Sequence, residues 1–410
     1  MNPAVLRAGP AGLAPRFAAF LVGVAWLLSS CSSSQPLTFE KAAAEATDDL
    51  VAQTGNLPAF LARLESKISK PDPNAPRRMI VIDPMLDTVT GQQTETTMLL
   101  ERRVTQRIGN IYPQLQFLPF QAGNLAKAQY LLTGTMARET PVGGSKPVMR
   151  LSLALTELKT GMVVAQASAL AREDNLDSTP SRYYKDSPIL MVKDKVIEGY
   201  AKTTATVAGQ RADPYYMERI GAASVISEAT TLYNAEKYQD ALGQYQNALA
   251  TPQGQQLRVQ SGIYLTSMKL GRTAEAEQAF GRIVALGFAY NELGVKFLFQ
   301  PGSTDFWTDP KISGSYGMWL RQIAQEAVVA KSCMSIVGHT SRSGPGPIND
   351  SLSLKRAAYV LQRLAQEKPE LAARMRAEGM GFRQNIVGSG TDNSFDVLDR
   401  RVEFKIVPCA

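Results

Sequence analysis

The tightest constraint on this chain is a strand, loop and helix pattern near its C-terminus. Met334 to Val337 is an apolar run that reads as a short buried strand, and the Ser, Gly and Pro residues between Ser341 and Pro347 read as a loop. Leu354, Ala358, Leu361 and Leu364 then recur at helical spacing, and Asn349, Asp350 or Ser351 can cap the helix they imply. Measured from Leu354, Arg356 sits about 200° around that helix, which predicts an arginine pointing away from the core. A loop and an outward arginine are then placed to share one ligand.

Three further groupings sharpen this pattern: Gly338-His339-Thr340, then Asn349, Leu352, Ser353 and Arg356, then Asp399-Arg400-Arg401-Val402-Glu403. Together they resemble the OmpA-like peptidoglycan-binding domain, over about 115 of the 410 residues, from about Asn291 to Ala410. The resemblance implies a two-layer α+β sandwich that binds the peptide stem of peptidoglycan, with Arg356 taking the carboxylate of its diaminopimelate. In that family an acidic residue follows His-Thr and grips the stem's ammonium. Here that position is Ser341, and a neutral hydroxyl replaces a charged hydrogen bond by one about half as strong. Asp350 is the nearby acid that can substitute. Thr340 and Asn349 offer hydrogen bonds to the stem. Arg400 and Arg401 are adjacent on the expected last strand and so face opposite sides, one toward the site. His339 is the only histidine in the chain, so a zinc site or histidine dyad has no second member, and its role is to shape the loop.

The N-terminus points to the same compartment. Arg7 and Arg16 precede a 12-residue apolar run, Phe17 to Leu28, too short to span a bilayer, and Leu28-Ser29-Ser30-Cys31 closes it. This resembles a bacterial lipoprotein signal over residues 1–30, which implies fatty acylation of Cys31, palmitate included. By resemblance to sorted lipoproteins, Ser32 after that cysteine favours the outer membrane, with the chain facing the periplasm. Removal of residues 1–30 lowers the formal charge from +7 to about +5, a mild excess that suits an anionic wall or lipid surface and gives no case for nucleic acid. Only Cys333 and Cys409 remain, and an oxidising compartment suggests one disulfide between them, free buried thiols being the alternative.

The rest of the chain reads as a series of modules. Residues 31–76 form a lipidated tether with helices over Phe39–Val51 and Pro58–Ile68, ended by three prolines between Pro71 and Pro76. Residues 77–173 form an α/β unit, with strands at Met79–Ile82, Leu115–Leu118 and Tyr130–Thr133, a helix through Leu100, Val104 and Ile108, and a closing hairpin turned at Lys159-Thr160-Gly161. It faintly resembles the periplasmic domain shared by the lipoproteins CsgG and FlgO. Its acids Asp83, Glu95 and Glu101 are scattered along the sequence and read as solvated. Residues 174–219 read as a linker region with a helix over Ile189–Thr203. Over residues 220–290, Ala241, Tyr245 and Ala248 recur as Ala276, Phe280 and Ile283 at an offset of 35 residues, close to the tetratricopeptide period. Two such repeats bury little alone, so they are expected to pack on their neighbours. Within residues 291–410, Val295–Phe299 is the expected first strand, Gly379–Val387 an irregular one, and Val402, Phe404 and Ile406 line the last.

The expected architecture is therefore multidomain α+β: an N-terminal α/β unit, central tetratricopeptide-like hairpins and a C-terminal OmpA-like sandwich. Two functions stay open: a non-enzymatic outer-membrane tether that holds peptidoglycan, and a periplasmic scaffold or regulator whose helical repeats engage a protein of a secretion or wall-synthesis complex. Neither implies a cofactor or a metal. Hydrolysis is disfavoured, because no nucleophile stands with a base.

Overall fold

The computed structural model describes residues 36–54, 78–111, 115–139, 147–174, 176–190, 194–291, 293–300, 302–386, 390, 396 and 399–409. The signal segment, Cys31, the helix expected over Pro58–Ile68 and the proline-rich break lie outside them. The described chain is a mixed α/β fold with two sheets. Among its residues, no helix is long and apolar enough to cross a membrane.

The first sheet consists of β1 (Arg78–Ile82), β2 (Leu86–Asp87), β3 (Leu115–Pro119), β4 (Tyr130–Glu139), β5 (Val148–Glu157) and β6 (Met162–Arg172). Its order is β3-β1-β4-β5-β6, with β2 beside β4. β1 lies parallel to β3 and β4, whereas β4, β5 and β6 pair antiparallel. Alternation along the strands assigns each face its cover. Leu151, Leu153 and Leu155 pack with α1 (Phe39–Thr54) and α2 (Glu95–Ile111), whose apolar residues Leu50, Leu100 and Val104 fall at helical spacing. Val81 and Leu131 face the other way, into a cluster with Val196 and Tyr200 of α3 (Lys195–Ala205).

The stretch 174–219, expected as a linker, is instead folded against this sheet. Ile189 and Leu190 are extended and bridge to the C-terminal sheet, so α3 begins only at Lys195, where the Asp194 carboxylate accepts the N–H groups of Val196 and Ile197. Tyr183, Tyr200 and Tyr216 are fully buried. The Tyr200 hydroxyl bonds both the N–H and the carbonyl of Gly134 at 2.9 Å. Tyrosine joins an apolar body to a polar tip, which lets a stretch without clear periodicity form core.

Helices α4 (Ile220–Asn234), α5 (Tyr238–Leu249), α6 (Leu257–Lys269) and α7 (Thr273–Tyr290) pack in succession. All six residues of the 35-residue recurrence are buried. Gly262 of α6 lies so close to Tyr245 that a Cβ there would stand 2.3 Å from its ring. The hairpins continue into the C-terminal core. Phe280 stacks on Trp319 of α8 (Tyr316–Val329) with ring centroids 5.6 Å apart, and Trp319 Nε1 donates to the Tyr264 hydroxyl at 2.8 Å. Their aromatic interior is thus filled from within the chain.

The second sheet has the order β7-β10-β8-β9, from β7 (Leu293–Val295), β8 (Cys333–Gly338), β9 (Met375–Gly379) and β10 (Val402–Val407). β10 is antiparallel to β7 and β8, and β8 is parallel to β9. Two boundaries differ from expectation. β7 ends at Val295 because the Lys296 N–H turns away to Pro188, and β9 ends at Gly379, beyond which Met380 and Gly381 turn back onto Gly338 and Thr340. Cys333 and Cys409 are joined as a disulfide, their Cα atoms 5.2 Å apart.

Helix α9 (Gly346–Glu367) corrects the expected helix face. Its buried stripe is Asn349, Ser353, Arg356, Ala357, Val360 and Leu364, while Leu354 is 44% exposed. Close approach overrides apolarity here. A Cβ on Gly338 would stand 2.1 Å from the Ser353 carbonyl oxygen, and one on Gly379 would stand 2.6 Å from the Leu354 nitrogen, so the helix rests on two glycines through its smallest residues. Gly338→Ala must separate backbone from backbone. It is expected to cost about 3 kcal/mol in urea unfolding, whereas Ala358→Ser on the exposed face should stay within about 0.5 kcal/mol.

Candidate functional site

The second sheet's contact with α9 brings four segments together: the loop after β8, the first turns of α9, the turn at residues 299–303 and the residues just before β10. The loop after β8 is held from both sides, since the His339 N–H donates to the Arg401 carbonyl at 3.0 Å and the Thr340 N–H to the Gly381 carbonyl at 2.9 Å. Ser353 Oγ accepts the Gly381 N–H at 2.9 Å and donates to the Asp350 carbonyl at 2.9 Å, stapling this turn to the helix.

Arg356 follows Ser353 by three residues, and the burial of that stripe draws it inward rather than out. Its guanidinium lies 4.9 Å from the Phe299 ring centroid. Nε donates to the Ser303 carbonyl at 3.0 Å and Nη2 to the Gln300 carbonyl at 3.1 Å. Nη1 makes no hydrogen bond among the described residues, so the end of the fork formed by Nη1 and the second Nη2 proton keeps its donors for a carboxylate. Burial, then the like charge of Arg400, pushes the Arg356 pKa down to about 10, which leaves it charged at neutral pH. The repulsion between two cations is relieved by an anion placed between them.

The other expected residues divide. Asn349 does not cap the helix, because α9 begins three residues earlier, at Gly346. It is buried, and its Nδ2 donates to the Ser343 carbonyl at 2.8 Å, which fixes the loop. Ser341 is also buried, with its Oγ 3.1 Å from that of Ser343. The Thr340 hydroxyl is buried without a hydrogen-bond partner among the described residues. Asp350 forms an exposed ion pair with Arg383.

Arg400 and Arg401 precede β10 and diverge. Arg400 acts on Arg356. Arg401 is buried and engaged elsewhere, its Nε donating to Glu403 at 2.7 Å and its Nη2 to the Gln384 carbonyl at 3.0 Å. Spacing alone could not reveal the carbonyl pair of the 299–303 turn or the Phe299 ring, some 55 residues before the arginine they hold.

His339 lies behind the loop, fully buried, with Nε2 3.4 Å from Glu403 Oε2 but neither ring nitrogen in hydrogen-bond geometry. Burial pushes its pKa below the ordinary histidine value, with the nearby charges of Arg401 and Lys405 adding to the fall and Glu403 opposing it. Burial alone would raise Glu403, yet His339 and Arg401 outweigh it and hold the carboxyl down at about 2. A base with a depressed folded pKa lends stability that is present above its unfolded value, about 6.5, and lost as pH falls through the folded one. Urea midpoints of wild type and His339→Gln should therefore draw together, to the disadvantage of wild type, between about pH 7.5 and 5.5.

No family model and no curated protein matches the chain. Among solved structures it is similar to the peptidoglycan-associated lipoprotein from Burkholderia pseudomallei, at 24% identity over 28% of this chain and 89% of that one, with a TM-score of 0.24. It is also similar to the cell wall anchor of the T6SS from Pseudomonas aeruginosa, at 21% identity over 28% of this chain and 78% of that one, TM-score 0.24. The OmpA-like domain of FopA1 from Francisella tularensis is matched at 16% identity over 28% of this chain and 75% of that one, TM-score 0.22. Each likeness concerns a part of the chain.

Proposed function

We propose that this protein is a non-enzymatic outer-membrane lipoprotein, acylated at Cys31, that holds peptidoglycan noncovalently through its C-terminal sandwich. The observation that carries this reading is the state of Arg356: buried, charged, fixed by two carbonyls and an aromatic ring, with the Nη1 end of its fork open among the described residues and a second cation, Arg400, beside it. Such a site suits the carboxylate of a diaminopimelate stem. Thr340 supplies a hydroxyl without a partner among the described residues, Ser341 a weak partner for the stem's ammonium, and Asn349 the shape of the loop. Arg401 acts at one remove, through Glu403 and the turn at Gln384. Residues 220–290 then serve chiefly as packing between the two sheets, their recurring aromatics being spent in the core.

Cosedimentation with purified sacculi tests the assignment. Arg356→Ala should abolish retention and Ser341→Asp should strengthen it, by roughly tenfold for one charged hydrogen bond in place of a neutral one. Retention unchanged by both substitutions would remove the site from this face of the sandwich.

A further inference from the structure

A second site lies at the other sheet. Asp83 follows the last residue of β1 and Phe120 follows β3, so both sit at the carboxyl ends of parallel strands, where open sheets place their ligands. Helix α4 and Arg258 of α6 close over these ends and leave a cleft of about 390 Å³, within the range of small-molecule pockets, about 300–1,000 Å³. The acids that seemed scattered in sequence meet here. Asp83 comes from the strand end and Glu101 from α2, and both line the cleft with Phe117 and Phe120.

Neither acid has an ion-pair partner among the described residues. Asp83 Oδ2 accepts the Tyr216 hydroxyl at 2.5 Å, and Glu101 Oε2 accepts the Met85 N–H at 3.3 Å. Burial raises Asp83 to about 6 and Glu101, with Asp83 adding its charge, to about 7. On the helical wall, Arg258 Nη2 donates to Gln256 Oε1 at 3.3 Å, while its Nε is buried without a hydrogen-bond partner, 3.9 Å from Asp194 Oδ2. The other oxygen of Asp194 is already committed to capping α3. Buried carboxyls without an ion-pair partner cost stability, and groups perturbed in this way cluster at binding sites.

We infer that this cleft binds a small zwitterion of the amino-acid kind, its ammonium against Asp83 and Glu101, its carboxylate on Arg258 and its side chain on Phe117 and Phe120. A simple anion would meet two acids, and a simple amine would leave the buried Arg258 Nε without an acceptor. A metal ion finds no group of three acid, histidine or cysteine ligands among the described residues.

Isothermal titration of the mature chain with L-leucine, D-alanine and L-lysine tests this. The controls are 3-methylbutylamine and 4-methylpentanoate, which keep one charge of leucine each, and magnesium chloride. At least one amino acid should bind at millimolar concentration or below, more tightly than either single-charge control. Asp83→Asn with Glu101→Gln should weaken it tenfold or more, and Ser227→Trp, which fills the cleft from α4 with the acids intact, should abolish it. The inference fails if no amino acid binds, if 4-methylpentanoate or the amine binds as tightly as leucine, if magnesium alone binds, or if Ser227→Trp leaves affinity unchanged.

Discussion

Trp319 is the joint between the helical hairpins and the C-terminal sheet. It stacks on Phe280 from the hairpins, donates its indole N–H to Tyr264 and contacts Phe297 just beyond β7, so one aromatic cluster ties the hairpins to the C-terminal sheet. Two helical hairpins do not bury enough surface to stand alone, and here the missing interface is supplied by α8 and the second sheet. Helix α6 reaches the other way as well: Arg258 faces the cleft of the first sheet six residues, about 9 Å, before Tyr264. One helix therefore lines one candidate site and supports the other.

Much of the C-terminal site is legible in sequence because its motif is local. Gly338, Asn349, Ser353 and Arg356 lie within two consecutive elements, and their spacing is set by one strand, one loop and one helix. The rotation of that helix is not legible. Leu354, Ala358 and Leu361 are the more apolar stripe, yet the helix turns Ser353 and Ala357 inward because only small residues permit contact with Gly338. That rotation carries Arg356 from the solvent to the turn at residues 299–303, and a buried arginine is a better-ordered carboxylate receptor than an exposed one.

The first sheet shows the opposite balance. Its strands and helix are readable from their periodicity, but Asp83 and Glu101 converge only through the turn from β1 into α2, and their pocket is completed by α4 and α6 from far along the chain. The tyrosines of residues 183–216 are equally silent, since their burial depends on hydroxyl partners such as Gly134 on β4 and Asp83 just after β1, over 60 residues away. Sequence pattern reports local amphipathicity, and these contacts are tertiary.

The charges of the C-terminal site fall into two sets. Arg401 and Glu403 pair behind the loop beside His339, while Arg356 at its front keeps the Nη1 end of its fork without a partner among the described residues and has Arg400 next to it. Under the proposed function Arg356, with Arg400 beside it, receives a stem carboxylate, and the Arg356 Nε–Hε resonance reports on it directly. Titration with a purified muropeptide bearing a diaminopimelate stem should shift that resonance and the one from Arg400 while leaving Arg401 in place. An Arg356 resonance that does not move when the protein is saturated with muropeptide would contradict the account.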